Sequence, residues 1–154
     1  MSAYCITIAE MCVTEELPPL SIVYKIMQYH IKPMNQVSKI LGFRVYCLDD
    51  KGIRSGYRPY RWEISRARNG ESEHTFGQGK KGVIDLNKKG ASTWRCDDFY
   101  SNKYKLLEAI INHTKFTRIV IHNHHIYCDY KIKTKKKYVY NSTDKNEWTL
   151  IKKI

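Results

Sequence analysis

A chain of 154 residues with 42% hydrophobic content is long enough to bury one substantial core, so it needs no disulfide staples. Its five cysteines, at positions 5, 12, 47, 96 and 128, are odd in number and form no CxxC pair, which argues against a disulfide framework and a zinc ribbon. The 27 Lys and Arg against 15 Asp and Glu leave a net charge of +12, a field that favours polyanionic partners such as nucleic acid, anionic lipid or a cell-wall polymer.

The first ten residues lack the basic region and long apolar block of a secretory leader, and no apolar run approaches the ~20 residues of a membrane span. Synthesis in the cytoplasm with no membrane partner is therefore the expectation. Residues 16–43, "ELPPLSIVYKIMQYHIKPMNQVSKILGF", carry helical spacing through Ile22, Ile26 and Tyr29, and again through Val37, Ile40 and Leu41. Pro33 divides or kinks that helix, and Gly42 is placed to end it. "FRVYCL" (43–48) reads as a strand and "DDKG" as a turn.

Residues 53–86, rich in Gly, Arg, Ser and aromatics, read as a long functional loop closing in a short strand, "GVIDL". "SNKYKLLEAIINHT" (101–114) is an amphipathic helix that Ser101 would cap, with Tyr104, Leu107 and Ile111 on one stripe. "FTRIVI" and "HIYCDYKIK" follow as two strands around a turn near Asn123. In "YKIKTKKKYVY" (130–140), lysines alternate with apolar or small residues. An edge strand whose lysines discourage sheet pairing is the preferred reading there, ahead of a basic, tyrosine-bearing nucleic-acid stripe.

The class is α+β: N-terminal helices, then a central, mainly antiparallel sheet with one amphipathic helix. A single domain is expected over 1–154, with 1–42 as a helical lead-in and 130–154 as basic C-terminal strands.

Chemistry concentrates in "SEHTFGQGKKGVIDL" (72–86) and "NHHIYCDY" (123–130). Asp85 lies between Ile84 and Leu86, and a carboxylate inside an apolar strand has to be paired, hydrogen-bonded or bound to a cation. His74 and Asp85 are both residue types that zinc accepts, and a third ligand is wanted. Strand parity puts Ile126, Cys128 and Tyr130 on a core face, and His125, Tyr127 and Asp129 together on the other.

"SGYRP" (55–59), then "SEH", then an apolar segment carrying Asp, and finally "CDYK" resemble the M15 family of zinc D-Ala-D-Ala carboxypeptidases and endopeptidases, above all its small bacteriophage-encoded members. The metal-site fold of that family also occurs in the hedgehog signalling domain. The resemblance covers about half the chain, from Ile53 to Lys131. It implies His74 and Asp85 as zinc ligands and Arg58 as the cation that steadies the oxyanion of the tetrahedral intermediate. It also implies that a zinc-bound water attacks the peptide carbonyl. Ser55, Ser72 and Tyr127 fall to support and substrate contact.

Two departures accompany the likeness. His74 and Asp85 stand eleven positions apart where the family usually has seven, an excess that a glycine-rich loop would absorb. In related phage sequences the last strand reads like "FIHCDY", and the histidine that binds zinc there corresponds to Tyr127. His125 is then the third ligand after migrating two places along the strand, about 6–7 Å, with His122 as base. Alternatively, Tyr127 binds zinc as phenolate with His125 as base, or the metal site is weakened and the fold serves another purpose.

The resemblance thus implies a zinc-dependent peptidase that cleaves peptidoglycan stem peptides, phage-encoded, made in the host cytoplasm and either carried on the virion or released to the wall. Its partners would be the stem peptide and other virion proteins, with nucleic acid ranked last. The alternative is a catalytically silent structural or binding protein of a virion.

Overall fold

A computed structural model of the chain describes residues 5–144 and 147–154. Residues 1–4, part of the segment inspected for a leader, and 145–146, in the C-terminal tail, lie outside the described residues. The fold is α+β, as the sequence pattern implies, with helices and a six-stranded mixed sheet.

The helical lead-in is one continuous rod made of α1 (Leu20–Ile26), a π-helical turn (Met27–Ile31) and α2 (Lys32–Leu41). Pro33 explains the middle piece. It has no N–H to give the Tyr29 carbonyl four residues back, and its ring would crowd that carbonyl, so the helix widens instead of breaking. Tyr130 Oη supplies a donor, bonding Tyr29 O at 2.6 Å. Gly42 ends the rod at φ 77°, returning its N–H to Ser38 O at 2.9 Å. Ile22, Ile26, Met34 and Val37 are wholly buried, whereas Ile40 is exposed.

Strands β1 (Val45–Tyr46), β2 (Ala91–Cys96), β3 (Arg118–Ile121), β4 (Ile126–Asp129), β5 (Tyr138–Asp144) and β6 (Glu147–Lys153) form the sheet in the order β1-β2-β4-β3-β5-β6. All neighbours are antiparallel except β3 and β5. The β3–β4 hairpin closes through His122 N–H to His125 O at 2.9 Å, and its register sets Arg118 opposite Asp129. One face carries Trp94, Ile119, Ile126, Cys128 and Val139 into a single core with the helical rod and with Leu106 and Ile110 of the remaining long helix. Ile126 and Cys128 are therefore where strand parity put them.

That long helix runs Phe99–His113, three residues earlier than the Ser101 cap predicts. Asp98, at φ 51°, turns its carbonyl toward the Ser101 and Asn102 N–H groups, so Ser101 lies within the first turn. The buried stripe is Phe99, Leu106, Leu107 and Ile110, and Tyr104 is exposed.

"GVIDL" is not a strand. Only Ile84 makes a bridge, to Gln78, while Val83 and Leu86 are more than 70% exposed. The basic stretch also differs: residues 131–137 form a loop, and strand structure begins at Tyr138. Among the described residues, no helix is long and apolar enough to cross a membrane.

Candidate functional site

The sheet face opposite the core carries the polar chemistry. It is met by loop 53–59, through Ser55 against Thr93, and by the turn that bears His74, against Tyr127; a short helix (Tyr60–Ser65) follows the loop. Ser55 is wholly buried because its backbone enters the sheet: its N–H bonds Cys47 O at 3.2 Å, and its carbonyl accepts Thr93 N–H at 3.0 Å. Gly56 has to be glycine, since a Cβ would stand 2.3 Å from Met11 O.

His74 is then fixed from three sides. Ser72 Oγ caps its N–H at 3.2 Å, its carbonyl accepts Arg58 N–H at 2.8 Å, and its Nδ1–H donates to Gly56 O at 2.8 Å. A carbonyl only accepts, so the proton sits on Nδ1 and the Nε2 lone pair remains available. Burial, reinforced by the Arg58 charge and opposed by the Gly56 bond, holds the imidazole well below its ordinary pKa, and it is neutral at pH 7.

Arg58 lies alongside. Its Nη2 donates to Ser55 Oγ at 3.0 Å, and its guanidinium stands 5.3 Å from the Trp62 ring, which Arg66 and Arg68 also approach. Arg58 Nε is buried without a hydrogen-bond partner. Burial lowers the Arg58 pKa, and the neighbouring Arg68 charge lowers it further, with Glu63, Asp49 and Tyr127 opposing.

Tyr127 meets His74 edge-on at 5.6 Å. Its hydroxyl donates to Asp129 Oδ2 at 2.6 Å, and Asp129, wholly buried, is also gripped by the Arg118 guanidinium. Burial, with the Asp129 charge adding to it, pushes the phenol well above its ordinary pKa. Tyr127 is therefore a neutral hydrogen-bond donor to Asp129.

His122 and His125 form a separate pair, their rings 4.4 Å apart, with Trp148 touching both His122 and Tyr127. His125 Nδ1 is buried and unpartnered. Burial and the neighbouring His122 hold His125 at about 4, against the weaker pull of Asp50 and Asp49.

Asp85 stands apart from all of these. It is exposed, its Oδ1 accepts Asn87 N–H at 2.9 Å, and its carbonyl is held by Lys25 Nζ at 2.7 Å. Of the residues singled out by sequence, the fold gathers Ser55, Arg58, Ser72, His74 and Tyr127 into one cluster and pairs His122 with His125 beside it. It leaves Asp85 outside. Among the described residues, no three His, Cys, Asp or Glu side chains are gathered so that they could hold a metal ion. Asp85 turns to Asn87, Tyr127 donates its proton to Asp129, and His74 keeps its Nε2 lone pair.

Arg118, Asp129, Trp62 and Trp148 went unassigned by sequence reasoning. A signal for the first two existed: each is a charge within an apolar strand, and counting outward from the turn at 122–125 sets 118 against 129. No family model matches this chain, and no curated protein or solved structure matches it either.

Proposed function

We propose that the chain is a catalytically silent binding protein for peptidoglycan stem peptides, laid out like the zinc DD-peptidases it resembles in sequence. The observation that supports this reading is the charge balance of the cluster. His74 is neutral, Tyr127 keeps its proton and Asp129 is cancelled by Arg118. Buried Glu63 faces the Arg68 guanidinium at 3.3 Å, which leaves Arg58 as a cation, partly accessible, with its Nε–H unused. A desolvated guanidinium beside a hydroxyl and an aromatic ring suits the terminal carboxylate of a peptide. Calorimetric titration with a stem peptide ending in D-Ala-D-Ala and with its C-terminal amide tests this. Binding of the acid alone, abolished in Arg58→Ala, is expected; equal binding of the amide would refute it.

One observation favours the hydrolytic reading. The His74 Nδ1–H bond to Gly56 O is the arrangement by which a zinc-bound imidazole is usually oriented, with Nε2 left for the metal. Elemental analysis separates the two readings. About one zinc per chain, lost in His74→Ala and His125→Ala but kept in Tyr127→Phe, would establish a working ligand set and refute the silent reading. No zinc in the wild-type protein, even after zinc is added back, would refute the peptidase.

A further inference from the structure

The loop at 131–137 has a definite shape. At its start, Asp129 Oδ1 accepts Lys131 N–H at 3.0 Å and ends β4. At its end, Lys137 pairs through its backbone with Ile154, and its Nζ reaches the Thr114 and Phe116 carbonyls. Lys137 is thereby used in structure, and burial lowers its pKa. Held at both ends, the loop lines a groove of about 1240 Å³ together with Tyr24 of α1, Tyr29 of the π-helical turn and the segment around Lys115.

Lys89, Lys115, Lys133 and Lys135 line this groove in addition to Lys137, and none of its lining residues is acidic among the described residues. All four of those lysines are exposed. Tyr24 is 59% exposed at the rim. Tyr29 and Tyr130 form an edge-to-face pair at 5.7 Å inside it, with the Lys89 ammonium 4.8 Å from the Tyr29 ring. None of these residues belongs to the Arg58–His74 cluster, so the inference does not depend on the reading proposed above.

We infer that this groove binds single-stranded nucleic acid. Lysines are point charges that accept a phosphodiester from many directions, and aromatic faces between them offer stacking to exposed bases. A duplex hides its base faces, and a polyol phosphate of the cell wall has none. The tyrosines therefore select among polyanions that the charge alone would treat alike.

The test is fluorescence anisotropy of a labelled oligothymidylate with the full chain. Each single-strand phosphate contact contributes about −0.7 to the slope of log K against log salt. Replacing Lys115, Lys133 and Lys135 together by Gln should therefore flatten the slope by about 2 and weaken binding on the order of a hundredfold at about 0.1 M salt. Tyr24→Ala should weaken it at least about fivefold, as loss of one stacked base does. His74→Ala should leave it unchanged. The inference is overturned if the triple variant binds like wild type. It is equally overturned if duplex DNA or inorganic polyphosphate competes as well as the oligonucleotide while Tyr24→Ala has no effect. The three lysines and Tyr24 are exposed, so folding of those variants is not at issue.

Discussion

His30 sets a pH dependence that can be worked out from its surroundings. It lies in the π-helical turn, wholly buried among Phe76, Phe116 and Tyr130. Nε2 faces Lys89 O at 2.9 Å and must carry the proton, so Nδ1 accepts from Ser92 Oγ at 2.8 Å. Ser92 Oγ in turn accepts Trp94 Nε1–H at 2.7 Å, which makes one directed chain from indole to hydroxyl to imidazole to carbonyl. A second proton on His30 would remove the Nδ1 acceptor and leave the Ser92 O–H without that partner. Burial lowers the imidazole to about 4, the Lys89 bond opposing. The unfolded chain then takes up a proton near 6.5 that the folded chain refuses until about 4. Stability from His30 is full above about 6.5 and is lost as pH falls toward about 4. Across that window, at about 1.4 kcal/mol per pH unit, the loss is roughly 3 kcal/mol.

Urea unfolding of wild type and His30→Gln across this range isolates the residue from the other buried histidines. The variant should be less stable at pH 7, through lost packing and hydrogen bonds. The gap should close by roughly 2–3 kcal/mol as pH drops toward 4.5. Parallel stability curves for the two proteins would refute the reasoning.

Three further outcomes are expected. Asp129→Asn breaks a buried ion pair and strands Arg118, lowering stability by about 3–5 kcal/mol in chemical denaturation. Gly90→Ala places a Cβ 2.3 Å from the buried Phe76 ring at φ +87°, so thermal unfolding should reveal a loss of roughly 3 kcal/mol or more. Lys25→Met removes the ammonium that holds the Phe76 and Asp85 carbonyls at 2.7 Å, costing about 2 kcal/mol. It should also speed tryptic cleavage after Lys80 and Lys81, whereas Asp85→Ala, which loses only an exposed bond from Asn87 N–H, should cost no more than about 1 kcal/mol and leave cleavage unchanged.

What the sequence made legible was whatever depended on period and parity. The helical rod with its stop at Gly42, the β3–β4 hairpin and the division of β4 into a core face and a polar face all follow from local pattern. The failures came where tertiary partners decide. "GVIDL" is apolar like a buried strand, but among the described residues it makes one isolated bridge, Ile84 to Gln78. Lys25, sixty residues away, instead holds the Asp85 carbonyl. The helix at Phe99 starts early because Asp98 adopts a positive φ that no composition rule predicts. The lysine stretch becomes a loop because Asp129 caps Lys131 and the distant Ile154 pairs with Lys137. Gathering Arg58 with His74 required Gly56 to pass against Met11, a contact 45 residues apart in the chain and invisible to any window.

The argument that a carboxylate among apolar neighbours must be compensated was sound, and the fold applies it to Asp129 in place of Asp85. Asp85 escapes the requirement by lying in water, while Asp129 meets it in full. It takes the Arg118 guanidinium, the Tyr127 hydroxyl and the Lys131 N–H, so its charge is spent inside the sheet. The same set of bonds then governs the neighbouring chemistry. Because Tyr127 gives its proton to that carboxylate as a hydrogen bond, it cannot ionise toward His74. Because His74 already sits beside Arg58 in a dry pocket, it cannot take up a second proton. The residues around His74 therefore present hydrogen-bond donors and the Arg58 and Arg68 guanidiniums, with the buried Glu63 carboxylate facing Arg68 at 3.3 Å. An anionic group of a ligand would meet Arg58 there, as the proposed binding of a peptide carboxylate requires.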